Sequence, residues 1–111
     1  MIVNLDETPL TGQTSWEIHY LNDENCPYSR QVLPKARTNG LANINDYELT
    51  IRLVPPHKAA PILDQVGLWI LKNRPINDGD IFIVFKESYK IKIEMNENGD
   101  EVQRLSWSKD T

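Results

Sequence analysis

Hydrophobic and polar residues alternate along several stretches of the chain, which predicts β-strands that bury one face. The alternation is clearest over residues 46–54 and also covers residues 15–21 and 88–95. Residues 81–85 are apolar at every position, a pattern typical of a strand inside a sheet. Weaker patterns at residues 1–5 and 102–107 complete the set of predicted strands.

The strongest helical pattern covers residues 58–72. Ile62, Val66 and Ile70 recur there with the spacing of one helical face, and Pro75 follows the last turn. This segment is therefore predicted to be an amphipathic helix with its apolar face against the sheet.

A second, weaker helix is predicted over residues 28–38, and the sequence leaves open whether a loop replaces it. Pro34 weakens the pattern, because a proline inside a helix removes a hydrogen bond and clashes with the preceding turn. Asn39 and Gly40 form a suitable helix end.

These elements give the order β-α-β-α-β-β-β in one domain that spans residues 1–111. The predicted fold class is α+β. We expect a mainly antiparallel sheet of about five strands, with the helix at residues 58–72 packed on one face.

The charge distribution bears on the class of partner. The formal net charge is −4, which argues against nucleic acid as the main ligand, because the phosphate backbone requires a basic face. Residues 26–45 nevertheless carry Arg30, Lys35 and Arg37 and no acidic residue. This basic segment is interpreted as a solvated face, as surroundings that stabilise a thiolate, or as a surface that docks an anion.

The cysteine, histidine and hydrophobic content limits the kinds of site and the cellular location that the sequence predicts. Cys26 is the only cysteine, so an internal disulfide is excluded and a reducing, cytoplasmic location is expected. No signal peptide or membrane span is predicted. Cys26, His19 and His57 lack the spacing of metal ligands, and no glycine-rich phosphate loop occurs. No metal and no cofactor are therefore predicted.

Cys26-Pro27-Tyr28-Ser29 follows a predicted strand and opens the weaker predicted helix. This segment resembles the active site of monothiol glutaredoxins, and the order of elements resembles the thioredoxin fold. The resemblance implies a thioredoxin-like topology and a thiolate at Cys26 that attacks a disulfide. The chain departs from the family before residue 81, where the family has a cis-proline and this sequence has Asp80.

Two functions remain open from the sequence. The first is a non-catalytic module that binds another protein, of the inhibitor, immunity or adaptor type, because the chain is small and acidic and lacks a complete catalytic constellation. The alternative is a thioredoxin-like monothiol protein. The candidate catalytic residue is Cys26, and the candidate binding residues are Tyr28, Arg30, Lys35, Arg37 and Trp107.

Overall fold

A computed structural model describes residues 1–7, 10–23, 33–96 and 98–107. In this part of the chain, seven β-strands form one sheet and two segments are α-helical. The strands are β1 (Ile2–Asn4), β2 (Glu17–Asp23), β3 (Leu33–Asn39), β4 (Leu49–Arg52), β5 (Ile81–Val84), β6 (Glu87–Met95) and β7 (Glu101–Trp107). The helices are the short α1 (Ala42–Asn45) and the long α2 (Pro56–Lys72).

The sheet is mixed, with the strand order β1-β5-β6-β7-β4-β3-β2. β1 runs parallel to β5 and β4 runs parallel to β7, whereas the other neighbouring pairs are antiparallel. The prediction of a mainly antiparallel sheet of about five strands beside one helix is therefore wrong. The alternation of apolar and polar residues identifies each strand by itself and does not show which strand it pairs with. β4, for example, pairs with β7, which lies about 50 residues further along the chain.

The predicted helix at residues 28–38 is also wrong where the structure describes it. Leu33–Asn39 is strand β3, which pairs antiparallel with both β2 and β4. Ala36 and Thr38 are buried at alternate positions, which is the period of a strand. This segment is a strand where the thioredoxin order requires a helix, so the expected thioredoxin-like topology is contradicted as well. Residues 28–32 lie outside the described residues.

Helix α2 begins two residues before the predicted range 58–72. Pro56 occupies its first turn, where a proline loses no intrahelical hydrogen bond. The helix contacts β2, β3, β4 and β5, so it crosses one face of the sheet. Its buried side chains, which include Ile62, Leu63, Val66 and Ile70, form the core together with sheet residues.

The indole of Trp16 fixes the position of α2. Trp16 is buried directly before β2, and its Nε1–H donates to Asp64 Oδ1 at 3.0 Å. A Cβ atom on Gly67 would overlap Trp16 Cζ2 and would lie 2.9 Å from both Cε2 and Cη2. The absent side chain of Gly67 is therefore what lets the ring approach the helix so closely.

Two buried amide side chains, Asn45 and Gln103, connect distant parts of the chain by hydrogen bonds. The Asn45 side chain donates to Gln103 Oε1 at 2.7 Å and accepts from the Ile76 backbone N–H at 3.0 Å. Gln103 completes the ring by donating to the Ile76 carbonyl at 3.0 Å. These hydrogen bonds join α1, β7 and the chain that follows α2, and they satisfy polar groups that would be costly to bury unpaired.

We expect Gly67→Ala to destabilise the protein by about 2 kcal/mol, because the added methyl group overpacks the contact with Trp16. In a helix interior the same change normally stabilises by about 1 kcal/mol. A double-mutant cycle checks this: urea unfolding is measured for the wild type, Gly67→Ala, Trp16→Ala and the variant with both changes. In the Trp16→Ala background, Gly67→Ala should become neutral or stabilising; an equal loss in both backgrounds would contradict the proposed contact.

The carboxyl group of Asp64 makes stability depend on pH. Burial raises its pKa, and the hydrogen bond from Trp16 opposes this only in part. The folded state therefore holds the proton more tightly than the unfolded chain. The resulting stabilisation is complete below the unfolded-state pKa and disappears as the pH rises through the folded-state pKa.

We expect Asp64→Asn, which keeps an acceptor for Trp16, to be more stable than the wild type at neutral pH and to lose this advantage in acid. Urea midpoints of both proteins measured between about pH 3 and pH 7 test this, because all other carboxyl groups titrate in both. Parallel midpoint curves over that range would contradict the assignment.

Candidate functional site

A large opening lies where the parallel strands β4 and β7 end. Its volume is about 920 Å³. Its walls come from the start of β3, the β4–α2 connection, the first turns of α2, the β5–β6 turn and the end of β7. The described lining residues are Lys35, Arg52, Leu53, Val54, Pro55, His57, Lys58, Ile62, Phe85, Glu87, Tyr89, Arg104, Leu105, Ser106 and Trp107.

The side of the sheet away from α2 supplies a cationic surface to this cavity. Strand register places there the paired residues Lys35 and Arg52, and Arg104 beside Thr50. Among the described side chains on this face, the cations outnumber the anions by four. The cations are Lys35, Arg37, Arg52, Lys90, Lys92 and Arg104, and the anions are Glu17 and Glu94.

Two arginines share one carboxylate on this face. Arg104 Nη1 lies 3.1 Å from Glu94 Oε2, and Arg52 Nη2 lies 3.6 Å from Glu94 Oε1. Because β7 lies between β4 and β6, the Arg52 side chain extends across β7 to reach Glu94 on β6. The Nε atoms of both arginines are buried without a hydrogen bond among the described residues.

Apolar side chains form the rim of the cavity. Leu53 is 66% exposed, Trp107 57% and Phe85 53%. Trp107 Nε1–H donates to Glu87 Oε2 at 2.5 Å, which orients the indole at the rim. Beneath them, burial and secondarily the charge of Glu87 raise the pKa of Tyr89, so its hydroxyl stays protonated at neutral pH.

Two of these rim residues have strained backbone. The φ angle is +63° at Leu53 and +53° at Phe85, and Lys86 follows at +67°. A side chain in this left-handed region costs about 1–2 kcal/mol per residue. Val84 pairs with Glu87, so Phe85 and Lys86 form a two-residue hairpin turn of the kind that normally carries Asn-Gly.

Asp6 holds that turn from the N-terminal segment. Its Oδ1 accepts the Phe85 N–H and its Oδ2 accepts the Lys86 N–H, both at 2.7 Å. Leu5 donates its backbone N–H to the Ile83 carbonyl at 2.9 Å, which places Asp6 next to the turn. One carboxylate thus satisfies both turn donors.

The structure brings together two of the residues singled out from the sequence. Lys35, only 4% exposed, and Trp107 both line the cavity although they are 72 positions apart. Arg37 shares the cationic face with Lys35 but does not line the cavity. Their roles in binding stay predictions.

Cys26, Tyr28 and Arg30 lie outside the described residues, so thiol chemistry at Cys26 also stays a prediction.

The sequence reasoning missed Leu53, Phe85, Arg52 and Arg104. For Phe85 a signal existed, because Phe-Lys stands between two strands where a tight turn normally requires Asn-Gly. Leu53 continues the apolar alternation of its strand and gives no such signal. The two arginines occupy ordinary polar positions in their strands, and only the register of β4 and β7 makes them neighbours.

Comparisons with known proteins give no family. No protein-family model matches the chain, and neither a curated protein nor a solved structure is significantly similar to it. Within the described residues, no cluster of three or more His, Cys, Asp or Glu side chains is arranged to hold a metal ion. Among the helices in the described ranges, none is long and apolar enough to cross a membrane.

Proposed function

We propose that this protein is a non-catalytic binding module, of the inhibitor, immunity or adaptor type. In this proposal the cavity at the ends of β4 and β7 takes up an acidic segment of a partner protein that also carries apolar side chains. The observation that carries it is the combination of a cationic wall and an exposed apolar rim in one opening.

Charge complementarity supports an acidic ligand. Four of the lining residues are cations, Lys35, Arg52, Lys58 and Arg104, whereas Glu87 is the one acidic residue among the described lining residues. With Glu94, which pairs with both arginines, the excess of cations is two. Such an excess attracts carboxylate-rich chains and speeds their association.

The rim supports a ligand that is a protein segment. Exposed Trp and Phe side chains beside arginine are residue types enriched in protein interfaces, with Trp and Arg among the strongest, and Leu53 adds exposed apolar surface to them. A volume of about 920 Å³ accommodates several side chains of an extended segment. The apolar rim and the cationic wall together favour a chain in which acidic and apolar residues alternate.

Nucleic acid fits this surface less well. Sheets that bind single strands stack bases on aromatic rings within a basic face, and the residues of β3, β4, β6 and β7 on the cationic face include no Phe, Tyr or Trp. The aromatic rings of the cavity, Phe85, Tyr89 and Trp107, lie together with Glu87, whose carboxylate repels phosphate. The chain as a whole also carries −4. The acidic protein segment is therefore the better match to both charge and shape.

A random-peptide display library tests the proposal. We expect the wild type to enrich peptides rich in Asp and Glu with interspersed aromatic or aliphatic residues, and to bind them more weakly as salt rises. Lys58→Glu, which reverses a charge in the cavity wall, should lower the affinity for an enriched peptide by about tenfold. Enrichment of basic peptides, or of none, would sink the proposal.

Lys72→Glu provides the matched control. Lys72 lies at the other end of α2, is exposed and does not line the cavity. The same charge change there should alter affinity less than about twofold. Equal losses in the two variants would mean that net charge alone, and not this cavity, governs binding.

A further inference from the structure

We infer that Leu53 and Phe85 are the anchors of this interface: a strained backbone holds their side chains out at the cavity rim, where they receive apolar side chains of the acidic partner segment. This inference rests on the proposed function and assigns its specificity to two particular residues.

The strain is selective for the cavity. Four non-glycine residues in the described ranges have positive φ: Asp46, Leu53, Phe85 and Lys86. Asp46 has an ordinary structural reason, because it ends α1 in the left-handed conformation and donates its N–H to the Ala42 carbonyl. Aspartate also tolerates this region better than leucine or phenylalanine does.

The hairpin turn accounts for the positive φ at Phe85, but neither there nor at Leu53 does the described fold account for a bulky apolar side chain. More than half of each residue is exposed, so neither side chain gains the core burial that normally offsets a strained backbone. Glycine or asparagine would form the same turns with less strain. Their side chains therefore serve something other than stability.

Placement indicates what they serve. Leu53 lies in the connection from β4 to α2, and Phe85 lies in the turn from β5 to β6, yet both line the same cavity. Both N–H groups of the Phe85 turn are fixed by Asp6. An anchor held in this way loses little conformational entropy when a partner binds, which is the advantage of a preorganised contact.

Backbone-relieving substitutions separate this role from folding. Leu53→Gly and the double variant Phe85→Asn/Lys86→Gly remove the apolar side chains while supplying residues suited to positive φ. We expect both to keep or raise the urea midpoint of the wild type. Both should lower the affinity for a library-selected acidic peptide by about tenfold or more, which is the loss typical of an interface anchor.

Two controls relieve strain without removing an anchor. Lys86→Gly keeps Phe85 in the same turn, and Asp46→Gly changes a positive-φ residue that does not line the cavity. Each should hold or raise the urea midpoint and change peptide affinity less than about twofold.

The outcomes distinguish this inference from the proposed function. If the wild type and all four variants bind the selected peptide equally, the anchors are wrong while the binding function stands. A lower urea midpoint in Leu53→Gly or in the Phe85→Asn/Lys86→Gly variant would show that these side chains serve folding, which overturns the inference. If the wild type binds no peptide from the library, the proposed function is wrong, and the inference about Leu53 and Phe85 is wrong with it.

Discussion

The structure depends on the packing of one long helix across one face of a wide sheet. Gly67 admits the indole of Trp16, and this contact sets the depth at which α2 lies on the strands. α2 is the long helix of the described chain and covers one side, so the polar positions of the central strands point to the other side. Their arginine stems extend over the sheet there, as Arg52 does to reach Glu94. The same constraint that builds the core thus builds the cationic face.

The chain connectivity explains why the cavity gathers residues from distant parts of the sequence. β4 and β7 are parallel neighbours, so both end at the same edge of the sheet. α2 starts four residues after β4 ends, which brings its first turn to that edge, and the β5–β6 turn lies beside it. The cavity is therefore a product of strand order, and no local motif encodes it.

The sequence supports local features better than pairings. The periodicity of Ile62, Val66 and Ile70 locates α2 to within two residues. Residues 28–38 contain few apolar residues, so their pattern does not separate a helix from a strand, although Pro34 already opposes a helix. Strand number and direction were wrong because they are set by partners far along the chain. The alternation over residues 46–54 assigns Leu53 to the same face as Leu49 and Ile51, whereas in the structure it has positive φ and is exposed.

The unequal distribution of charge over the molecule acts well before any contact forms. The described side chains on one face of the sheet carry +4, whereas the formal net charge of the whole chain is −4. Charges separated in this way give the molecule a dipole moment. In the field of an acidic partner of the kind proposed above, the resulting torque turns the cationic face forward at separations up to about 10 Å, the screening length at about 0.1 M salt. The orientation of such an encounter is thus biased during diffusion, before any side chain enters the cavity.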